Sequence, residues 1–239
     1  MLFKNWNIFE LSLFFLAFAV ALCCTITTDN SILSFLTFLT GMLCVVFAAK
    51  GMIFTYYTGL INSLLYSYIA YSNGLFGEVY LNMFFYLPMN IVGIFLWRNK
   101  LKNMIVAMRK LSLFQTICII AGVLLSIFVL GYLLGRNPLQ NTPYIDASTN
   151  VLGIIATFLM VLRYREQWLL YISLNVLTII MWILRTIQEG NDGQMMIIMW
   201  SAFLVNSVYG YYNWSKGSRT VTKNELRQTM QPAIEPGVQ

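Results

Sequence analysis

The chain has 239 residues, 59% of them hydrophobic and 10% charged, with a mean hydropathy of +0.69 and a net charge of +6. A soluble domain averages about 45–50% apolar and about 25% charged residues, so an ordinary water-soluble globule is excluded. Histidine is absent, which excludes His-based acid–base catalysis, Ser–His triads and His-ligated metals.

A bilayer core needs about 20 mostly apolar residues per helix. Eight stretches qualify, at roughly 8–28, 31–49, 52–72, 75–97, 111–135, 144–162, 167–186 and 194–214. The first runs apolar from Leu11 to Ile26, too long for a signal peptide, and Leu22 before Cys23 is a poor cleavage site; it reads as a retained helix. The second is closed by Lys50, and the third carries Asn62 at its middle. The fourth holds Glu78 near one end, Tyr86 and Pro88 at its centre, then Asn90-x-x-Gly93-x-x-x-Trp97. Pro88 removes one helical hydrogen bond and frees the carbonyl of Phe84, a kink that serves as a gate hinge or as fixed shape. After the basic loop Arg98–Lys110 come the fifth span and Arg136. The sixth span opens near Asp146 and closes at Arg163; the seventh carries Asn175, Trp182 and, near its end, Arg185. The eighth carries Trp200, Asn206, Tyr209, Gly210 and Trp214. Past Ser215 the chain is polar, contains Pro232 and Pro236, and reads as a disordered tail. Cys23, Cys24, Cys44 and Cys118 all lie in apolar stretches, without metal-type spacing or a disulfide framework.

The loop charges give orientation. With Arg98–Lys110 in the cytoplasm, alternation places thirteen of the fifteen basic residues inside, leaving Arg136 and Arg185 outside. The charge therefore reports topology, with no nucleic-acid partner implied. Both termini are then cytoplasmic if all eight segments span; if the first only lies in the interface, the N-terminus flips and the rest of the map stands.

The second to fourth spans resemble the sixth to eighth. Lys50 precedes Asn62 by twelve residues, and Arg163 precedes Asn175 by the same number. Asn90, Gly93 and Trp97 close the first half, while Asn206, Gly210 and Trp214 close the second with one residue of slippage. The topology makes these parallel repeats, with the fifth span as the odd linker, an arrangement typical of transporters. The reading is of an all-α polytopic membrane protein with eight membrane helices. An extra N-terminal helix spans 1–29, the first three-helix repeat 30–98, the basic loop and linker helix 99–143, the second repeat 144–215 and the tail 216–239.

Polar groups in hydrocarbon are costly without partners, so they face the bundle interior as helix–helix glue or as a binding site. Asn62, Asn90, Asn175 and Asn206, at corresponding depths, favour a central polar cavity. Tyr86, Trp182 and Tyr209 share helical faces with them. Trp97, Trp168 and Trp214, at span ends, read as an interfacial belt, and Gly41, Gly93, Gly122, Gly131 and Gly153 as close-packing positions. No span shows a buried Asp, Glu or Lys of the kind that couples ions. The expected site is uncharged, amide-lined and aromatic. It suits a neutral polar solute or a delocalised cation held by ring faces, with no cofactor and no metal.

Gly59-Leu60-Ile61-Asn62, Glu78-x-x-x-Asn82 leading to Pro88, and Asn90-x-x-Gly93-x-x-x-Trp97 resemble the first half of the PnuC-type nicotinamide riboside transporters. Arg163-Tyr164-x-Glu166-x-Trp168-Leu169-Leu170, running on to Asn175, resembles the second half. The resemblance covers about residues 50–215 and implies a 3+1+3 helix plan like that of the SWEET sugar transporters. It further implies residence in a bacterial inner membrane, a homotrimer, and facilitated diffusion made one-way by a cytoplasmic riboside kinase. Nicotinamide riboside, a pyridinium with a carboxamide and ribose hydroxyls, fits the site expected from Asn62, Tyr86, Asn90, Asn175, Trp182, Asn206 and Tyr209. A sister transporter for thiamine or riboflavin has the same cavity chemistry, and a membrane sensor would bind without flux. An intramembrane enzyme lacks a nucleophile–base pair in the spans.

Overall fold

The computed structural model describes residues 6–27, 32–72, 76–102, 104–136, 142–189 and 194–230. Lys4 and the tail beyond Met230, with Pro232 and Pro236, lie outside them, as do the side chains of Cys23, Cys24, Lys102, Arg185, Lys223 and Arg227. The helices are α1 (Ile8–Thr27), α2 (Ile32–Lys50), α3 (Phe54–Ser72), α4 (Phe76–Leu81), α5 (Leu87–Arg98), α6 (Leu113–Leu134), α7 (Pro143–Val161), α8 (Gln167–Glu189) and α9 (Gln194–Met230). A π-helical turn, Asn82–Tyr86, joins α4 to α5, so the two form one rod. Among the described residues, five stretches are long and apolar enough to cross a bilayer unaided: Ile32–Lys50, Glu78–Arg98, Leu113–Leu134, Pro143–Val161 and Gln167–Leu184.

The π turn is the local answer to Pro88. Proline gives no N–H and its ring clashes with the carbonyl four residues back. The ladder widens just before it, and the Leu87 N–H reaches the Asn82 carbonyl, five residues back. α9 continues to Met230, well beyond Ser215, where the sequence reading begins an irregular tail. Between Ser218 and Met230 there is neither Gly nor Pro to stop it, and Pro232 follows shortly after its end.

Six rods close into a ring: α2 packs on α3, α3 on the α4–α5 rod, α5 on α7, α7 on α8, α8 on α9, and α9 back on α2. α6 packs on α7, and α1 lies on α2 and α9. The first half (α2 to α5) and second half (α7 to α9) therefore meet at two seams, α5–α7 and α9–α2.

Matching contacts relate the halves. α2 and α7 both end in a left-handed residue, Gly51 (φ 70°) and Arg163 (φ 68°). At each, the left-handed residue's N–H bonds to the carbonyl three back and the next N–H to the carbonyl five back, a Schellman closure: Gly51 to Ala48 and Met52 to Phe47, Arg163 to Met160 and Tyr164 to Leu159. The equivalence thus runs from Gly51 to Arg163, one residue off the sequence pairing of Lys50 with Arg163. With this register Gly41 pairs with Gly153, and Asn62 against Gly41 matches Leu174 against Gly153. Asn175 then corresponds to Ser63, not to Asn62. Charge had aligned the wrong residues, because the sign of φ is invisible in a charge pattern.

The connection between α5 and α6 straps both closures together. It holds a small hairpin, β1 (Leu101–Lys102) with β2 (Ile105–Val106). The Val106 N–H bonds to the Gly51 carbonyl at 2.9 Å, and the Arg109 N–H bonds to the Arg163 carbonyl at 2.8 Å. Leu111 N–H donates to the Glu166 carboxylate at 3.0 Å, and the Arg165 guanidinium holds its other oxygen at 2.9 Å. Glu166 of the Tyr-x-Glu-x-Trp motif thereby anchors the strap, with Arg109 of the strap over the Tyr164 ring at 4.7 Å. Partial burial, and then the neighbouring Arg109, lower the pKa of Arg163 from its ordinary value; its guanidinium donates to the Ala107 carbonyl at 3.2 Å.

Candidate functional site within the helix ring

At the end of the ring that carries the strap, four aromatic residues fill the centre. Trp97 and Trp214 are fully buried, their ring centroids 5.9 Å apart. Each donates its indole N–H across a seam to the last turn of the other half's first helix: Trp97 to Val161 O at 3.0 Å, Trp214 to Ala48 O at 2.9 Å. Tyr56 packs edge-on to Trp97, and Trp168 to Trp214. A Cβ on Gly93 would fall within the Tyr56 ring, and one on Gly210 within the Trp168 ring. These tryptophans therefore do not form the interfacial belt read from the sequence. They sit at span ends but turn inward, because the glycines open room for rings there. Gly122 is also not a packing site, since nothing lies within 4 Å of a Cβ built on it.

Further along the ring, α8 presents two opposite stripes. Leu169, Ser173, Val176, Ile180 and Ile183 are exposed, while Tyr171, Asn175, Thr178 and Trp182 share the other face at helical spacing. Asn175 and Thr178 are buried and Tyr171 and Trp182 half-buried. The Tyr171 hydroxyl lies 3.3 Å from Thr157, whose own hydroxyl donates to Gly153 O at 2.8 Å. The Tyr86 hydroxyl sits against Gly153 from the other half. α8 packs mainly on α7 and α9, and Tyr86 and Tyr171 approach the same stretch of α7, at Gly153 and Thr157, from the two halves. Tyr171, Thr157 and Thr178 are the residues that sequence reasoning missed. The outward apolar stripe of α8 was the signal that could have found Tyr171 and Thr178; Thr157 lies on α7.

The four asparagines are distributed over different helix pairs. Asn62 donates to Thr37 O at 2.7 Å, tying α3 to α2. Asn90 donates to Tyr86 O at 2.9 Å and packs its carbonyl on Gly59 of α3. Asn175 donates to Ser207 of α9 at 2.9 Å, and Asn206 to Val45 O of α2 at 3.0 Å. The Asn206 carbonyl oxygen is buried without a hydrogen-bond partner. Tyr209 is drawn to the periphery, donating to Glu10 at 2.7 Å. Glu10 and Lys50 form a buried ion pair at 2.6 Å. The sequence reading, which expected no buried Asp, Glu or Lys of the ion-coupling kind, did not foresee this pair. The two charges lie forty residues apart and neutralise each other. Among the described residues no acidic or cysteine cluster could hold a metal.

The family model for "Nicotinamide mononucleotide transporter" matches residues 31–216. The chain is 35% identical to the nicotinamide riboside transporter PnuC of Neisseria mucosa over 90% of its own length and 84% of the relative's. It is 32% identical to that of Haemophilus influenzae, over 89% and 92%. A solved structure, "Crystal structure of the Vitamin B3 transporter PnuC", superposes with a TM-score of 0.77 at 34% identity, over 92% of this chain and 95% of that one.

Proposed function

The chain belongs to the nicotinamide mononucleotide transporter family, and from that membership we propose that it carries nicotinamide riboside across a membrane. One observation carries the reading: two relatives named as nicotinamide riboside transporters are 35% and 32% identical over 90% and 89% of this chain. Transport, not catalysis, is the activity of this family.

In finer detail, all eight rods cross the bilayer in a 3+1+3 plan, α6 being the linker and α1 the extra helix. The strap faces the cytoplasm of a bacterium whose inner membrane holds the protein as a homotrimer. The weight of Lys and Arg at the strap end supports that orientation. Entry is by facilitated diffusion and is made one-way by a cytoplasmic riboside kinase. The mutual neutralisation of Glu10 and Lys50 supports this, since it leaves neither charge free for a coupling ion.

The substrate lies in the ring interior. Tyr86, Tyr171 and Trp182 offer ring faces to the delocalised pyridinium cation, Thr157, Thr178 and Asn175 hydrogen-bond the ribose hydroxyls, and the unpartnered Asn206 oxygen accepts from the carboxamide. Asn62, Asn90 and Tyr209 hold the surrounding helices in place. The test is uptake into liposomes without ion gradient or ATP, with nicotinamide riboside and thiamine offered separately. Saturable entry of the riboside alone is expected, with Tyr171→Ala and Asn175→Ala raising the half-saturation concentration. Entry of thiamine instead would move the protein to a sister specificity, and binding without entry of either would make it a sensor. Unchanged affinity in both variants would remove those residues from the site.

A further inference from the structure

The two seams between the halves are built alike at the strap end but differ in everything else. At each, one tryptophan indole donates to the first helix of the opposite half. On the α9–α2 seam two further amides join it, Asn206 to Val45 O at 3.0 Å and Asn213 to Ala49 O at 2.8 Å. Between described residues, the α5–α7 seam has no side-chain hydrogen bond besides that of Trp97. Its other contacts are weaker and non-directional: the Phe85 and Phe158 rings, 5.6 Å apart, and Tyr86 against Gly153.

α1 sharpens the asymmetry. Asn7 and Glu10 form a capping box at its start, the Glu10 N–H donating to the Asn7 side chain at 2.8 Å and the Asn7 N–H to Glu10 Oε2 at 2.9 Å. The same carboxylate accepts from Lys50 Nζ of α2 at 2.6 Å and from the Tyr209 hydroxyl of α9 at 2.7 Å. Asn7 Nδ2 donates to Tyr209 Oη at 3.0 Å, the Phe9 ring lies 4.8 Å from that of Tyr209, and Lys50 stands over Trp6 at 5.3 Å. One buried carboxylate thus fastens the first helix of the first half to the last helix of the second. Breaking such a pair leaves an uncompensated buried charge, so it resists opening. At the other seam the peripheral helix is α6, which packs on α7. No hydrogen bond between described residues joins it to the α4–α5 rod.

We propose that the halves swing about the α9–α2 seam, which Glu10 locks as a permanent hinge, and that they part at the α5–α7 seam. This rests on the transport reading, in which the interior must open to each side in turn. Glu10 is a positioning residue that acts through Lys50 and Tyr209 and does not touch substrate.

The test begins with full-length protein in which the four cysteines are replaced by alanine. A hinge-seam variant then carries Ala49→Cys with Asn213→Cys, and an opening-seam variant carries Phe85→Cys with Phe158→Cys. Each is reconstituted and treated with a short bifunctional thiol reagent. Cross-linking the engineered pair at positions 49 and 213 is expected to leave riboside uptake at the level of the untreated variant. Cross-linking the pair at positions 85 and 158 is expected to reduce uptake to that of protein-free liposomes, with recovery when the linker is cleaved. Loss of uptake at the first seam, or its survival at the second, overturns the hinge assignment. If the unmodified protein carries no riboside in the same liposomes, the transport reading fails instead. The hinge is then judged by spin-label distances across the same two pairs: it stands if the α5–α7 distance alone spreads, and falls if the α9–α2 distance spreads as much.

Discussion

Glycines that look alike in the sequence differ in what a methyl group would meet. Gly93 and Gly210 are pressed against the rings of Tyr56 and Trp168, whereas Gly122 faces open space on α6. Forcing a methyl into a filled core costs about 1–3 kcal/mol. Gly93→Ala and Gly210→Ala should therefore each lower the midpoint of thermal unfolding in detergent, while Gly122→Ala should raise it slightly, alanine being favoured over glycine in a helix interior by about 0.5–1 kcal/mol. The sequence exposed Gly93 and Gly122 alike as candidates for close packing and could not separate them, since separation depends on the neighbour supplied by another helix. The asparagines show the same limit. Their depth within the spans was legible, but the partners of Asn62, Asn175 and Asn206 lie 25, 32 and 161 residues away in the chain. The Glu10–Lys50 pair escaped for the same reason: Lys50 reads singly as the end of a span, and its partner lies forty residues away.

Whole elements were far more legible. Helix positions follow from hydropathy alone, and Pro88 marked the site of the irregular turn. What hydropathy lacks is the handedness of a turn. Gly51 and Arg163 close α2 and α7 in the same left-handed conformation, although only one is the residue type that adopts it freely. For a residue with a Cβ this conformation costs roughly 1–2 kcal/mol. Gly51→Ala should lose about that much stability, the Met108 methyl met at 2.6 Å being the movable end of a flexible side chain. Thermal unfolding of the variant in detergent measures the loss. An unchanged midpoint would mean that the α2 closure is not left-handed.

At the level of the whole molecule, the strap gives the two halves a common floor. Glu166 is its anchor, accepting the Leu111 N–H at 3.0 Å and the Arg165 guanidinium at 2.9 Å. Glu166→Gln keeps the shape but removes the charge, and hydrogen bonds to charged groups contribute about 1.5–3 kcal/mol against about 1 for neutral ones. Faster amide hydrogen exchange at Leu111 is expected, with the exchange of mid-span amides in α3 and α8 unaltered. If exchange rises equally throughout, Glu166 supports the entire bundle and not the strap alone.

The final helix has one more consequence. Its 37 residues make a rod about 55 Å long at 1.5 Å per residue, against a hydrocarbon core of about 30 Å. With α9 crossing the bilayer as proposed, about 25 Å of it extends beyond the hydrocarbon core as a mast. A reporter fused beyond its end would share the orientation of α9, so the polarisation of its emission would follow the tilt of that helix in a living cell.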